Sequence, residues 1–375
     1  MTLPYVVSDP GTRPERTELA WLEGLTPWPD AFGLERIRAL LAALGEPQWR
    51  FPSIHVVGTN GKTTTTLMCA ALLTSAGLRA GAYVSPHVRG FPERIQVDGE
   101  AADLPRALAR IRPHAEGATQ FEVLTAAALA EFAAREVDVA VVEAGLGGRL
   151  DATNVLDAPV VVLTNVALDH TGVLGTTREA IAGEKLAVVR PGATVVLGEP
   201  EWEGEARARG AARVELRPGS NLALAVAAAE ALLGRPVDPH AAEGLVVPGR
   251  LERRGERPFE LWDGAHNIAG VGYLLARLPA RRFTIVASIL EDKNAEAMLR
   301  ALSAVGDTLV ATRSSNPRAL PAERLAALAE PHFARIESVP VPAEARARAL
   351  ELAGEDGAVL VTGSLYLLAE LSACA

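Results

Sequence analysis

The stretch Val56-Val57-Gly58-Thr59-Asn60-Gly61-Lys62-Thr63-Thr64 holds the residue types that can cradle a polyphosphate. Gly58 and Gly61 let the backbone turn tightly, so that its N–H groups point inward. Lys62 supplies a compact positive charge for the terminal phosphates, and the Thr63 hydroxyl is placed to hold Mg²⁺. An apolar run at 54–57 leads in as a strand would, and an Ala- and Leu-rich segment at 65–76 leads out as a helix would. A plain tight turn before a helix would use both glycines but leaves Lys62 without a purpose. Nucleotide binding uses all of it.

A second signal lies in what the chain avoids. Of its 37 basic residues only Lys62, Lys185 and Lys293 are lysines. A lysine kept against that bias suggests work a guanidinium cannot do: a point charge against phosphate, or an amine that loses its proton and is modified. Glu143 closes the mostly apolar run 137–142 and is followed by glycines. A carboxylate there costs heavily unless paired or bound to metal, so Glu143 reads as a Mg²⁺ ligand beside the phosphate loop. Ser85 and His170, each just past a strand, are further candidate ligands. The cluster Trp262-Asp263-Gly264-Ala265-His266-Asn267 closes a later strand. From there Asp263 and His266 could meet nucleotide on its opposite side, as could Arg250.

These residues need elements to hold them. The pattern predicts strands at 54–57, 79–84, 137–142, 159–163 and 194–197, then near 259–262, 283–287, 307–311 and 358–361. Helices are predicted at 34–44, 65–76, 103–115, 121–135, 178–189 and 222–233, the first with apolar positions 34, 37, 40, 41 and 44 on one face. Continuous apolar strands alternating with helices indicate an α/β fold with a doubly wound, mostly parallel sheet. Ligands of such sheets gather beyond the carboxyl ends of the strands, where Gly58, Ser85, Glu143 and Asn165 all fall. Residues 199–220 read as a surface connection and 247–250 as a linker, after which the strand–helix rhythm restarts. The expected division is a P-loop domain over 1–246 and a smaller, Rossmann-like α/β domain over 247–375.

Composition narrows the class. A chain of 375 residues exceeds one ordinary core, and 49% hydrophobic with 22% charged residues suits a soluble enzyme. A net charge of -9 argues against nucleic acid or an anionic membrane as partner. Cys69 and Cys374 give no disulfide framework, and no basic-then-apolar leader or bilayer-length apolar run appears. A reducing cytoplasm is the expected location.

Taken together, the motifs resemble the dihydrofolate synthase/folylpolyglutamate synthase family of the Mur ligase superfamily over most of the chain. The resemblance rests on Gly33-Leu34-Glu35-Arg36-Ile37, the phosphate loop, Ser85-Pro86-His87 with Glu93-Arg94-Ile95, and Phe121-Glu122. It continues through Gly145-Leu146-Gly147-Gly148-Arg149-Leu150-Asp151-Ala152-Thr153-Asn154, Leu168-Asp169-His170, Glu184-Lys185, Pro248-Gly249-Arg250-Leu251-Glu252, the Asp263–Asn267 cluster and Thr362-Gly363-Ser364-Leu365-Tyr366. It implies a ligase that adds L-glutamate to a folate, and to dihydropteroate, with ATP as co-substrate and an acyl-phosphate intermediate. It also implies that Gly58, Thr59, Asn60, Gly61, Lys62, Thr63, Thr64, Asn221, Arg250, Asp263 and His266 bind ATP. Thr63, Ser85, Glu143 and His170 would hold two Mg²⁺ ions, and Lys185 would be carbamylated. Gly33, Leu34, Phe121, Glu122, Leu150, Asp151 and Ala152 would line the pterin site, and a monomer is expected. A cell-wall Mur ligase is the alternative suggested by Gly61-Lys62-Thr63-Thr64, but roughly 50 residues ahead of the loop are too few for a nucleotide-sugar domain. A regulatory ATP-binding module has no need of Lys185 or of the Asp263 cluster.

Overall fold

The computed structural model describes residues 14–374 apart from Trp28 and Asp30, and in it the chain builds two sheets. The first contains β1 (Ser53–Val57), β2 (Ala80–Tyr83), β3 (Ile95–Val97), β4 (Glu100–Ala101), β5 (Val139–Glu143), β6 (Val160–Leu163), β7 (Thr194–Leu197) and β8 (Arg213–Leu216). Their order is β4-β3-β2-β5-β1-β6-β7-β8, parallel from β2 to β8, with β3 and β4 antiparallel at one edge. The second contains β9 (Glu252–Glu256), β10 (Phe259–Trp262), β11 (Thr284–Ala287), β12 (Thr308–Ala311), β13 (Arg335–Ser338) and β14 (Ala358–Thr362). It runs β13-β12-β11-β14-β10-β9, and only β9 is antiparallel.

The central strands β1, β5 and β6 are buried along their whole length, as parallel strands with helices on both faces must be. On one face the helix Lys62–Ser75 sets Leu72 and Leu73 beside Leu224 and Ala228 of the helix Asn221–Leu233, over Ile54, Val56 and Val141. On another, Ile37 and Leu41 join Leu124, Phe132 and Val142. A third cluster packs Ile181 and Leu186 of the helix Arg178–Leu186 against Val57 and Leu163. Both lobes' sheets are thus rigid platforms whose strand ends face the same cleft.

The expected helices and central strands are present, with ends shifted by a few residues. Residues 199–220 are not a plain connection: they form the helix Glu203–Ala208 and the edge strand β8, with Trp202 and Ala206 buried. Strands β3, β4, β8, β9 and β13 and the helix Pro14–Glu23 were not foreseen. Edge and hairpin strands are solvated on one side and carry charges such as Arg213, Glu215 and Arg335, so they lack the continuous apolar run of a central strand.

Two ion pairs, among other contacts, tie the lobes together. Val88 is buried among Trp262, Leu365 and Leu368, and next to it Arg89 Nη2 donates to the buried Glu252 carboxylate at 2.8 Å. Across the cleft, Lys293 forms a close ion pair with Asp169. Among the described residues no helix is long and apolar enough to cross a membrane.

Candidate active site

A cavity of about 1380 Å³ lies between the two sheets, lined from both. Its floor is the turn after β1. Gly58 has φ +150°, and a Cβ there would fall 1.8 Å from Thr164 Oγ1; Gly61 has φ +83°, and a Cβ would fall 2.5 Å from Asn221 Oδ1. Both glycines are therefore required by close approach as well as by backbone angle. The end of β6 holds the turn in shape: Asn60 N–H donates to Asn165 Oδ1 (3.0 Å), and the Asn60 carbonyl accepts from Thr164 Oγ1 (2.7 Å) and Asn165 Nδ2 (2.9 Å).

Lys62 opens the following helix, with its Nζ 4.0 Å from the Glu143 carboxylate. Thr63 Oγ1 donates to Glu143 Oε1 at 3.1 Å, and the Ser85 backbone N–H donates to Oε2 at 3.0 Å. Burial raises the Glu143 pKa, while Lys62 and these donors pull the other way. A hydroxyl and a carboxylate 3.1 Å apart beside a phosphate turn are hard oxygen donors of the kind Mg²⁺ takes together with phosphate and water. They fit the ion. Among the described residues no three His, Cys, Asp or Glu side chains gather closely enough to hold a metal by themselves. The other two expected ligands also line the cavity: Ser85 meets Glu143 through its main chain, and His170 sits beside Asp169, its Nε2 3.9 Å from Oδ1. His170 adopts φ +50° ahead of the short helix Thr171–Leu174, a left-handed conformation uncommon for a non-glycine residue.

Lys185 is buried and donates to the Gly58 carbonyl at 2.7 Å. Burial first, and the Lys62 ammonium second, lower its pKa to about 7. Glu184 is not its partner, being bonded by Arg149 at 2.8 Å. The glycine-rich loop after β5 packs on this helix so closely that a Cβ on Gly148 would lie 2.6 Å from the Lys185 carbonyl.

From the second lobe, Asp263 accepts the backbone N–H groups of Leu251 (2.8 Å) and Ala265 (2.9 Å), with Arg250 and His266 also lining the cavity. Burial raises the Asp263 pKa and lowers that of His266 to about 4. His266 Nδ1 donates to the Gly264 carbonyl at 2.8 Å, leaving Nε2 3.7 Å from Asp169. Lys293 precedes Asn294, which caps the helix Ala295–Leu302, and is held by Asp169. Burial alone would raise Asp169, yet His170, Lys293 and His266 together hold its carboxyl well below the usual range.

At the far end of the cavity stand Gly33, Phe121, Glu122, Leu150, Asp151 and Ala152. Leu34 does not line it; it is buried with Ile37 and Leu41 because it continues the apolar stripe of the helix Glu35–Ala43. The Glu122 carboxylate is taken up by Arg36 Nε at 3.1 Å and by Thr119, with which it forms a capping box. Asp151 accepts from Leu146 N (2.7 Å) and Thr153 N (3.0 Å), closing its loop on itself. Sequence reasoning assigned no role to Asp169, Asn267, Arg36, Arg94, His87 or Tyr366, although all six stand inside the motifs quoted. All but Asn267 line the cavity, and Arg94 is buried with its Nε donating to His87 Nδ1 at 2.9 Å.

Known proteins bear on this arrangement. The family description "Mur ligase middle domain" matches residues 56–197, and "Mur ligase, glutamate ligase domain" matches residues 249–365. The chain is 34% identical to the dihydrofolate synthase/folylpolyglutamate synthase of Mycobacterium tuberculosis, over 82% of this chain and 80% of that one. Its structure is similar to that of Escherichia coli FolC in complex with DHPP and ADP, with a TM-score of 0.87 and 30% identity over 98% and 99% of the two chains. It is also similar to the bifunctional folylpolyglutamate synthase/dihydrofolate synthase of Yersinia pestis complexed with AMPPNP and Mn ion, with a TM-score of 0.84 and 29% identity over 98% and 99%.

Proposed function

The chain belongs to the dihydrofolate synthase/folylpolyglutamate synthase family of Mur ligases and is an ATP-dependent ligase that joins glutamate to a folate; from that premise we propose how its cleft works. One observation carries the reading: a single cavity joins the phosphate turn and Glu143 to the Phe121–Asp151 end, with Asp263 and His266 closing it from above. A substrate carboxylate reaching along it attacks the γ-phosphorus of ATP, the bond to the bridging oxygen breaks, and ADP leaves with the electron pair. The α-amine of glutamate then adds to the acyl carbon of the resulting acyl phosphate. Phosphate departs and the amine releases its proton.

Lys62 and the N–H groups of Gly61, Lys62 and Thr63 bind the β- and γ-phosphates and meet charge as it develops on the transferring group. Thr63 and Glu143 would hold Mg²⁺, with Ser85 and His170 available to a second ion, and the metal would supply positive charge that neutralises the phosphates. Lys185 reacts as the free amine with CO₂, forming an N–C bond and releasing one proton, and the carbamate then presents an anion beside the turn. Its lowered pKa supports this, since the free amine is well populated near neutrality. Asn221 and Arg250 complete the nucleotide site, and Gly33, Phe121, Leu150, Asp151 and Ala152 the pterin end, with Glu122 bracing that wall through Arg36. The boundary falls at 246/247, dihydropteroate is a second acceptor, and the enzyme acts as a monomer in the cytoplasm.

The test is phosphate release that depends on both glutamate and acceptor, with dihydropteroate and tetrahydrofolate assayed side by side. Release with tetrahydrofolate alone would remove the dihydrofolate synthase half. Release without glutamate would remove the acyl-transfer mechanism.

A further inference from the structure

Asn267 caps the helix Ile268–Leu275, its Oδ1 accepting from Gly270 N–H at 2.7 Å. Serine, threonine or aspartate would cap equally well, because a cap needs only an acceptor. The rest of this amide is engaged elsewhere. Its Nδ2 donates to Asn60 Oδ1 (3.1 Å) and to Asp169 Oδ2 (3.0 Å), and its Oδ1 also accepts from Asn60 Nδ2 (3.2 Å). The Gly270 N–H can only donate, so it fixes which end of the amide is oxygen and therefore which way the two donors point. Of the four hydrogen bonds, one is local and three cross from the second lobe to the first.

The partners are equally committed. Asn60 sits in the phosphate turn, with its carbonyl pinned by Thr164 and Asn165. Asp169 is held by the Lys293 ion pair. Asn267 is 6% exposed and Asp169 8%, so these bonds are shielded from water. Gly270 lets the helix come this close: a Cβ there would sit 3.2 Å from Asn267 Oδ1 and 3.5 Å from Asn60 Oδ1.

Resting on the ligase reading above, we propose that Asn267 is a positioning residue that locks the second lobe onto the phosphate turn through Asn60, with Asp169 as buttress, and so keeps the acyl phosphate from water until glutamate attacks. Without the lock, the lobes stand slightly apart during the lifetime of the intermediate. Water then adds to the acyl carbon, the C–O bond to phosphate breaks, phosphate leaves with the bonding pair, and the water proton passes to solvent. ATP is consumed and the acid is regenerated.

The experiment measures phosphate released per glutamate ligated, with the intact enzyme, ATP, glutamate and tetrahydrofolate. Asn267→Ser and Asn267→Asp both keep the capping acceptor and lose the crossing donors. The unaltered enzyme is expected near one phosphate per ligation; both variants are expected to rise to about three or more while ligation slows about tenfold. ADP affinity should change less than about threefold, since the turn's own N–H groups remain. A substitution that merely weakened the fold would lower phosphate release and ligation in parallel, and an unchanged ratio in a folded variant overturns the proposal. In an Asn60→Ala, Asn267→Ser double variant the ratio should be no higher than in the worse single variant; additive increases would also overturn it. If the unaltered enzyme shows no glutamate-dependent phosphate release, the ligase reading fails instead.

Discussion

Lys185 is the residue whose chemistry depends most on its surroundings. Its folded pKa, about 7, lies far below the ordinary lysine value, so its proton is lost as pH rises through neutrality and kept below it. With dissolved CO₂ held constant, recovery of activity after decarbamylation should be about tenfold faster at pH 8 than at pH 6, following the free-amine fraction. A recovery rate independent of pH would exclude this amine. Lys185→Arg keeps a cation but cannot shed its proton, so ligation should fall about 10²- to 10³-fold with no response to bicarbonate, while ADP binding measured by calorimetry persists. Lys185 was legible because lysine is so scarce that its retention stood out. Asn267 was not, because its meaning comes from Asn60, 207 positions away, and from Asp169, 98 away. Nothing local in Asp263-Gly264-Ala265-His266-Asn267 tells a helix cap from a bridge.

At the scale of elements, the glycine-rich loop after β5 is shaped by one ring. A Cβ on Gly145 would lie 2.5 Å from the Phe121 ring, which itself stands 6.1 Å from Tyr83. Gly145→Ala should push Phe121 into the cavity and raise KM for the folate acceptor about tenfold, with KM for ATP nearly unmoved; equal changes in both would argue against a pterin end there. The elements themselves were readable in proportion to their burial. β1, β5, β6 and β14 are mostly apolar and buried along their whole length and could be seen, whereas β8 and β13 carry charge on their solvated sides and could not. The periodicity 34, 37, 40, 41, 44 already placed Leu34 on a buried stripe. In the structure Leu34 follows that pattern, buried with Ile37 and Leu41 and away from the cavity wall.

For the molecule as a whole, the Val88–Arg89 segment is the second tie between lobes, two residues beyond a loop residue, Pro86, that itself lines the cavity. Val88→Asp would set a carboxylate among the apolar side chains of Trp262, Leu365 and Leu368. The expected result is faster protease cleavage within 244–251 and ligation reduced about tenfold, with both sheets still folded by circular dichroism. Unchanged cleavage would mean that the Val88 contact adds little to the Lys293 and Asn267 ties. That two lobes exist was readable from the restart of the strand rhythm after residue 250; how they meet was not, since the contact pairs residues from opposite halves of the chain.

All three lysines stand in this one cleft, two of them almost wholly enclosed, and every other side-chain cation of the chain except the histidines is a guanidinium. Protein grown with lysine isotopically labelled at the terminal nitrogen would thus give a spectrum of three side-chain resonances, each a reporter from the reaction chamber with no surface background. Carbamate formation, phosphate arrival and lobe closure could be followed there as separate signals in solution, without altering a single residue.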